Sequence, residues 1–182
     1  RRLLDSETYR RRHGMQPALG ELGCYLSHVA VMRALLTSTH RHALVLEDDV
    51  LLTPALLPVL QGLLRHADRW DMVKLSAVHS GTPQPVLELA PGHSLAVMLS
   101  RCTGSSAYLV NRRTAQTYVE RLLPMTLPYD HVFDQGWTFD LKPGQEATIY
   151  GNDATPDIGA SAKTIDVAGT GSQVLQCQVV MG

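Results

Sequence analysis

The period of apolar and polar positions changes several times along this chain. Between Pro17 and Ser38, Leu22, Leu26, Val29, Met32 and Leu36 recur at spacings of three and four, which predicts an amphipathic helix buried on one side. Ala43 to Leu46 is a short apolar run that reads as a buried strand, and it ends at Glu47, Asp48 and Asp49. Thr53 then reads as an N-cap with Pro54 at the first helical position, and Leu56, Leu57, Leu60, Leu63 and Leu64 supply an apolar face.

The second half changes texture. Trp70 to Leu75, Val86 to Leu89, Leu95 to Leu99 and Ala107 to Val110 are candidate strands, punctuated by Gly81-Thr82-Pro83 and Pro91-Gly92. Asn111 is placed to cap a helix running through Leu123, with Ala115, Tyr118, Val119 and Leu122 on its apolar side. Pro124 and Pro128 bracket a turn into YDHVFDQGW, read as a short helix. Beyond Pro143 the chain is rich in Gly, Ala, Thr and Ser, and two weak strands are expected there, Ala147 to Tyr150 and Val174 to Val180.

Alternating helices and strands predict an α/β domain with a mostly parallel central sheet. Residues 1–142 are expected to form this domain, and 143–182 a divergent segment without a motif. In such sheets ligands bind outside the carboxyl ends of the strands, where the three acids fall.

Composition narrows the function classes. The chain has 182 residues, of which 45% are hydrophobic and 18% charged, enough for one domain with a sizeable core. A net charge of -1 gives no basis for a nucleic-acid partner. The positive charge is uneven: Arg1, Arg2, Arg10, Arg11 and Arg12 crowd the start, which reads as a solvated, mobile end or, less favoured, as a contact for anionic lipid. Cys24, Cys102 and Cys177 are an odd count with no C-x-x-C, so a reducing compartment is expected. No stretch approaches the roughly 20 apolar residues of a transmembrane helix.

Three adjacent carboxylates repel one another and need a cation, capping amides or water. At a strand end they make an edge for a hard, oxygen-preferring ion such as Mn²⁺ or Mg²⁺, whose remaining ligands come from substrate phosphates. Continued strand alternation would put Glu47 and Asp49 on one side and Asp48 on the other, so that Asp49 ligates directly and Glu47 supports it or meets the substrate. The competing reading is a solvated turn ahead of the next helix.

The surrounding segments carry a resemblance. GELGCYLSH (residues 20–28) followed by ALVLEDDV (43–50), then WDMVKLS (70–76), GSSAYLVNRRTAQTYVERL (104–122) and LPYDHVFDQGW (127–137), resembles glycosyltransferase family 25, the lipopolysaccharide-biosynthesis and collagen galactosyltransferases. The resemblance spans residues 5–141 or so. It implies a GT-A-like (Rossmann-like) nucleotide-sugar-binding domain, with Glu47-Asp48-Asp49 in place of the D-x-D metal motif. It further implies transfer of a hexose, commonly galactose, from a UDP-sugar to a glycan such as lipooligosaccharide, with inversion.

Inversion needs a base for the acceptor hydroxyl and neutralisation of the departing diphosphate. Asp130 is the candidate base, with Asp134 behind it; its other reading is a helix N-cap. His131 is either a third metal ligand or a packed or solvated histidine. Glu21 and His28 share one helix face at i and i+7, which the family motif directs toward the sugar. Glu21 could equally serve the helix N-terminus, His28 could be a hydrogen-bonded core residue, and Ser27 is similarly open. Gly104, Ser105 and Ser106 suit close approach of backbone to a sugar, or a plain tight turn.

Rival motifs fail on context. Gly169-Thr-Gly171 lacks the third glycine of a dinucleotide fingerprint, and a response-regulator receiver would need a downstream strand ending in aspartate, whereas Asp71 begins its strand. The family's opening strand and its Arg-containing segment precede Asp5 in this register, so a truncated member with an incomplete nucleotide pocket is expected. The alternative function is accordingly a non-catalytic fragment or degenerate homologue. A cytoplasmic enzyme at the inner face of the inner membrane is the location that a lipooligosaccharide acceptor implies.

Overall fold

The computed structural model describes residues 2–78 and 82–141, together with the backbone of 146–151. In chain order the elements are α1 (Ser6–His13), α2 (Leu19–Thr37), β1 (His42–Leu46), α3 (Leu56–Arg65), β2 (Met72–Lys74), β3 (Pro83–Ala90), β4 (His93–Met98), β5 (Ala107–Asn111), α4 (Arg112–Arg121), α5 (Tyr129–Phe133), a 3₁₀ turn (Gly136–Phe139) and β6 (Glu146–Gly151). The predicted strands and long helices are present, and the weak strand expected at Ala147 to Tyr150 is β6. The strand expected at Val174 to Val180 lies outside the described residues.

One six-stranded sheet has the order β1-β5-β2-β6-β4-β3. The expected mostly parallel sheet is corrected here. Among the described strands only β2 and β6 pair in parallel; β1–β5, β5–β2, β6–β4 and β4–β3 are antiparallel. The α/β class stands. Because β5 inserts between β1 and β2 and opposes both, those two strands run the same way without touching. A buried apolar run reports only that both its faces are covered, not the direction of its neighbour.

Side-chain alternation sorts the sheet residues into two cores. Ala43, Val45, Met72, Tyr108 and Val110 face α1, α2, α4 and α5, while Leu44, Val73 and Leu109 join Val59, Leu60 and Leu63 of α3 on the other face. Trp70 seals the second core, its indole donating to the Leu63 carbonyl at 2.9 Å. α3 presses so closely on β3 that a Cβ at Gly62 would stand 2.6 Å from the Leu89 carbonyl oxygen.

Local signals were partly misleading at helix starts. Asn111 does cap α4, accepting from Thr114 N at 2.9 Å. α3, however, begins at Leu56 behind Ala55, two residues later than the Thr53-Pro54 signal predicts; Thr53 contributes only its carbonyl, to Leu56 N at 3.1 Å. The mobile amino terminus is also corrected. Residues 6–13 form α1, capped by Asp5 and closed by Gly14 in the left-handed region. Tyr9, fully buried, anchors it, and Leu4 bridges to Met125. One buried tyrosine per two turns leaves no apolar stripe to read.

The last carbonyls of α2 are taken by one guanidinium. Arg112 donates to Leu35, Ser38 and His40 through Nη1 and to Leu36 through Nη2, at 2.8–3.2 Å. This satisfies orphan helix-end acceptors and joins α2 to the start of α4.

Candidate functional site

The sheet brings the carboxyl end of β1 beside the amino end of β5, since Leu46 pairs with Ala107. Glu47 N continues that ladder by donating to the Ser106 carbonyl at 2.7 Å. The loop before β5 therefore lies against the acidic turn, and α2 and α5 cross above the same edge. Between them is a cleft of about 250 Å³ lined by Glu21, Cys24, Glu47, Val78, Gly104, Ser105, Ser106, Pro128, Tyr129 and Asp130.

Six residues singled out in the sequence, Glu21, Glu47, Gly104, Ser105, Ser106 and Asp130, thus meet in one place. Cys24, Val78, Pro128 and Tyr129 were missed. Cys24 was the one with a legible signal, for it lies one turn from both Glu21 and His28 on the same helix face.

Glu47 turns inward. Ser105 Oγ donates to its Oε1 at 3.2 Å, and His28 Nε2 lies 3.5 Å from the same oxygen. His28 first, and then the two serines, hold the Glu47 carboxyl below its ordinary range against the opposing effect of burial. Asp48 and Asp49 are exposed on the turn that follows. The expected alternation across the three acids is corrected: β1 ends at Leu46, so the strand period does not extend to Asp48 and Asp49.

His28 is fully buried beneath the cleft. Its ring lies flat on Tyr129, with centroids 3.9 Å apart, and its Nδ1 is 2.9 Å from the Tyr108 hydroxyl. Tyr108 continues to the Tyr129 hydroxyl at 3.2 Å. Burial, followed by Tyr108, pushes the Tyr129 phenol upward, so it stays neutral. Among the described residues the Nε2 atom of His28 has no hydrogen-bond partner.

Glu21 lines the cleft and serves its helix end as well, accepting from Ala18 N at 2.7 Å and from the Tyr9 hydroxyl at 3.1 Å. Ser27 is turned back on its helix, donating to the Gly23 carbonyl at 3.0 Å, and does not line the cleft. Gly104 has φ 125, and a Cβ there would meet Val78 N at 3.0 Å. Its conformation and its packing both select glycine.

Asp130 is half-buried and sits inside the first turn of α5; the N-cap position belongs to Pro128, so the capping role does not apply. His131 Nε2 accepts from Arg101 at 2.8 Å, which puts the ring proton of the neutral form on Nδ1. Burial lowers the His131 pKa, Asp130 opposes this, and Arg101 and His13 reinforce it. Asp134 lies behind Asp130 but is committed elsewhere, its Oδ1 accepting from buried Lys74 at 2.9 Å and its Oδ2 from Cys102 N at 3.1 Å. Lys74 also donates to the Cys102 carbonyl.

The model of glycosyltransferase family 25 (LPS biosynthesis protein) matches residues 2–133. The chain belongs to glycosyltransferase family 25. Every cleft residue falls within the matched span. No curated protein matches the chain. Members of this family of glycosyltransferases join a sugar from a nucleotide-sugar donor to a glycan acceptor, and the cleft is the place in this member where three carboxylates, small residues and hydroxyls converge. Among the described residues no helix is long and apolar enough to cross a membrane.

Proposed function

We propose that this family 25 chain transfers a hexose, galactose in the first instance, from a UDP-sugar to a glycan acceptor such as lipooligosaccharide, with inversion at the anomeric carbon. The observation that carries the reading is the convergence of Glu47, Ser105, Ser106, Glu21 and Asp130 on one cleft at the β1–β5 sheet edge. The edge would act in the GT-A manner, with the nucleotide against the acidic turn.

The turn fits a divalent cation. Asp48 and Asp49 are adjacent exposed carboxylates, oxygen donors suited to Mn²⁺ or Mg²⁺, while Glu47 is held back by His28 and Ser105. When bound, the cation would supply positive charge against the departing diphosphate. For His131 to join the ligands, its bond with Arg101 would have to open.

The remaining roles follow from position. Asp130, half-buried on the α5 side of the cleft, takes the proton of the acceptor hydroxyl. Glu47 and the Ser105–Ser106 hydroxyls orient the hexose by accepting from and donating to its hydroxyls. Glu21 is fixed by Ala18 and Tyr9 and so presents a rigid acceptor on the α2 side. A cytoplasmic site of action, at the inner face of a bacterial inner membrane, would follow from such an acceptor.

Titration calorimetry of UDP with and without Mn²⁺, on this chain and on Asp49→Asn, tests the reading. Binding that requires Mn²⁺ and is lost in Asp49→Asn supports it. Binding indifferent to both overturns the metal role, and UDP binding without transfer to any glycan leaves the non-catalytic homologue as the description.

A further inference from the structure

The geometry points to a second metal site, distinct from the Asp48–Asp49 turn, in which Cys24, His28 and Glu47 bind Zn²⁺ at the floor of the cleft and leave one coordination position open to it. Cys24 and His28 stand one helical turn apart on α2, and Glu47 reaches them from the end of β1. Their ligand atoms all lie within 4.8 Å of one another.

The unpartnered atom makes this more than a cluster. His28 is fully buried, yet its Nε2 has no hydrogen-bond partner among the described residues, and it is aimed at Glu47 Oε1 from 3.5 Å. A charge-assisted bond would close to about 2.7–2.9 Å. The open spacing instead matches the edge of a tetrahedral zinc site, where Zn–N and Zn–O bonds near 2.1 Å put nitrogen and oxygen about 3.4 Å apart.

The orienting contacts are already in place. The other nitrogen of His28 is 2.9 Å from the Tyr108 hydroxyl, which is 3.2 Å from that of Tyr129, and Tyr129 stacks on the imidazole. A zinc-bound histidine needs this arrangement: Nδ1–H donates outward, Nε2 is left for the metal, and the ring cannot rotate. Ser105 holds the carboxylate in the same way, donating to Oε1 at 3.2 Å.

The donor set selects the ion. Thiolate, imidazole and carboxylate together suit Zn²⁺, whereas Mn²⁺ and Mg²⁺ prefer the all-oxygen turn next to it. Three protein ligands with a fourth position facing a cleft is the pattern of an open zinc site. Cys24 and Glu47 both line the cleft, so the ligand for that position is water or a sugar hydroxyl.

The site does not depend on UDP or on transfer, and the test separates the two. Chelator-treated protein would be titrated with Zn²⁺, and with Co²⁺ as its spectroscopic stand-in, for the wild-type chain, Cys24→Ala and Asp49→Asn, with circular dichroism and thermal melts to confirm folding. The expected result is a tetrahedral Co²⁺ spectrum with a sulfur-to-metal charge-transfer band in wild type and Asp49→Asn, displaced by Zn²⁺ and lost in Cys24→Ala. A Co²⁺ spectrum without that band, or equal Zn²⁺ binding by wild type and folded Cys24→Ala, overturns the proposal. Loss of the band in Asp49→Asn would overturn the separateness of the two sites. Mn²⁺-dependent UDP binding, measured on the same proteins, reports on the donor reading independently.

Discussion

Lys74 Nζ donates to Asp134 Oδ1 at 2.9 Å, which ties the end of β2 to the end of α5 across a nearly closed interior. The lysine side chain is 3% exposed and the aspartate 16%, and the Cys102 backbone completes the network on both sides. Removing one partner strands the other charge. Lys74→Ala should therefore cost about 3–5 kcal/mol in urea unfolding, whereas Lys74→Met with Asp134→Leu should recover most of it. Equal stabilities of the single and double variants would show that the pair contributes by shape alone.

Arg112 bonds four carbonyls in and after the last turn of α2 with a planar fork that lysine lacks. Arg112→Lys should lose about 1–3 kcal/mol and raise amide exchange at Leu36 to Ser38. Retained protection there would assign the helix stop to packing.

Gly62→Ala sets local propensity against tertiary contact. Alanine at a helix position is worth about 1 kcal/mol over glycine, but here its Cβ would meet the backbone oxygen of Leu89 at 2.6 Å. The expected outcome is net destabilisation of about 1–3 kcal/mol and a lower melting temperature. A higher melting temperature would mean that β3 yields freely.

His42, at the start of β1, packs its ring 5.1 Å from that of Trp70. Burial, then Arg41, depresses its pKa below the ordinary 6.5. The unfolded chain therefore binds the proton at higher pH than the folded one. This contribution to stability is intact above about pH 6.5 and declines as pH falls from there toward the folded-state value. Unfolding free energies from pH 7.5 to 5 should slope less steeply in His42→Gln than in wild type. Identical slopes would remove His42 from the account.

Asp130→Asn should abolish transfer and leave Mn²⁺-dependent UDP binding intact, because the base role proposed for Asp130 acts on the acceptor and not on the nucleotide. Loss of at least about 100-fold in turnover with unchanged nucleotide affinity is expected. Undiminished turnover would move the base to another carboxylate of the cleft, Glu21 or Glu47.

Apolar periodicity is enough to place the long helices and the strands, and the motifs mark much of the cleft membership. Period three-to-four spacing fixes α2 because one face must leave water, and the apolar run at 43–46 fixes β1 because both its faces are covered. The motifs around Glu21, Glu47, Gly104 to Ser106 and Asp130 marked residues that do line one cleft. The pattern is silent on strand direction, since hydrogen-bond polarity leaves no trace in side-chain hydrophobicity, and only the tertiary pairing, of β5 with β1 and β2 and of β4 with β3 and β6, makes the sheet mainly antiparallel. It was equally silent on α1, whose anchor is one tyrosine, and on Cys24, which gains meaning only beside His28 and Glu47. Adjacency in sequence grouped Glu47 with Asp48 and Asp49. The tertiary structure separated them, because a strand that ends at Leu46 frees the next carboxylate to turn toward a buried imidazole and leaves the other two to solvent.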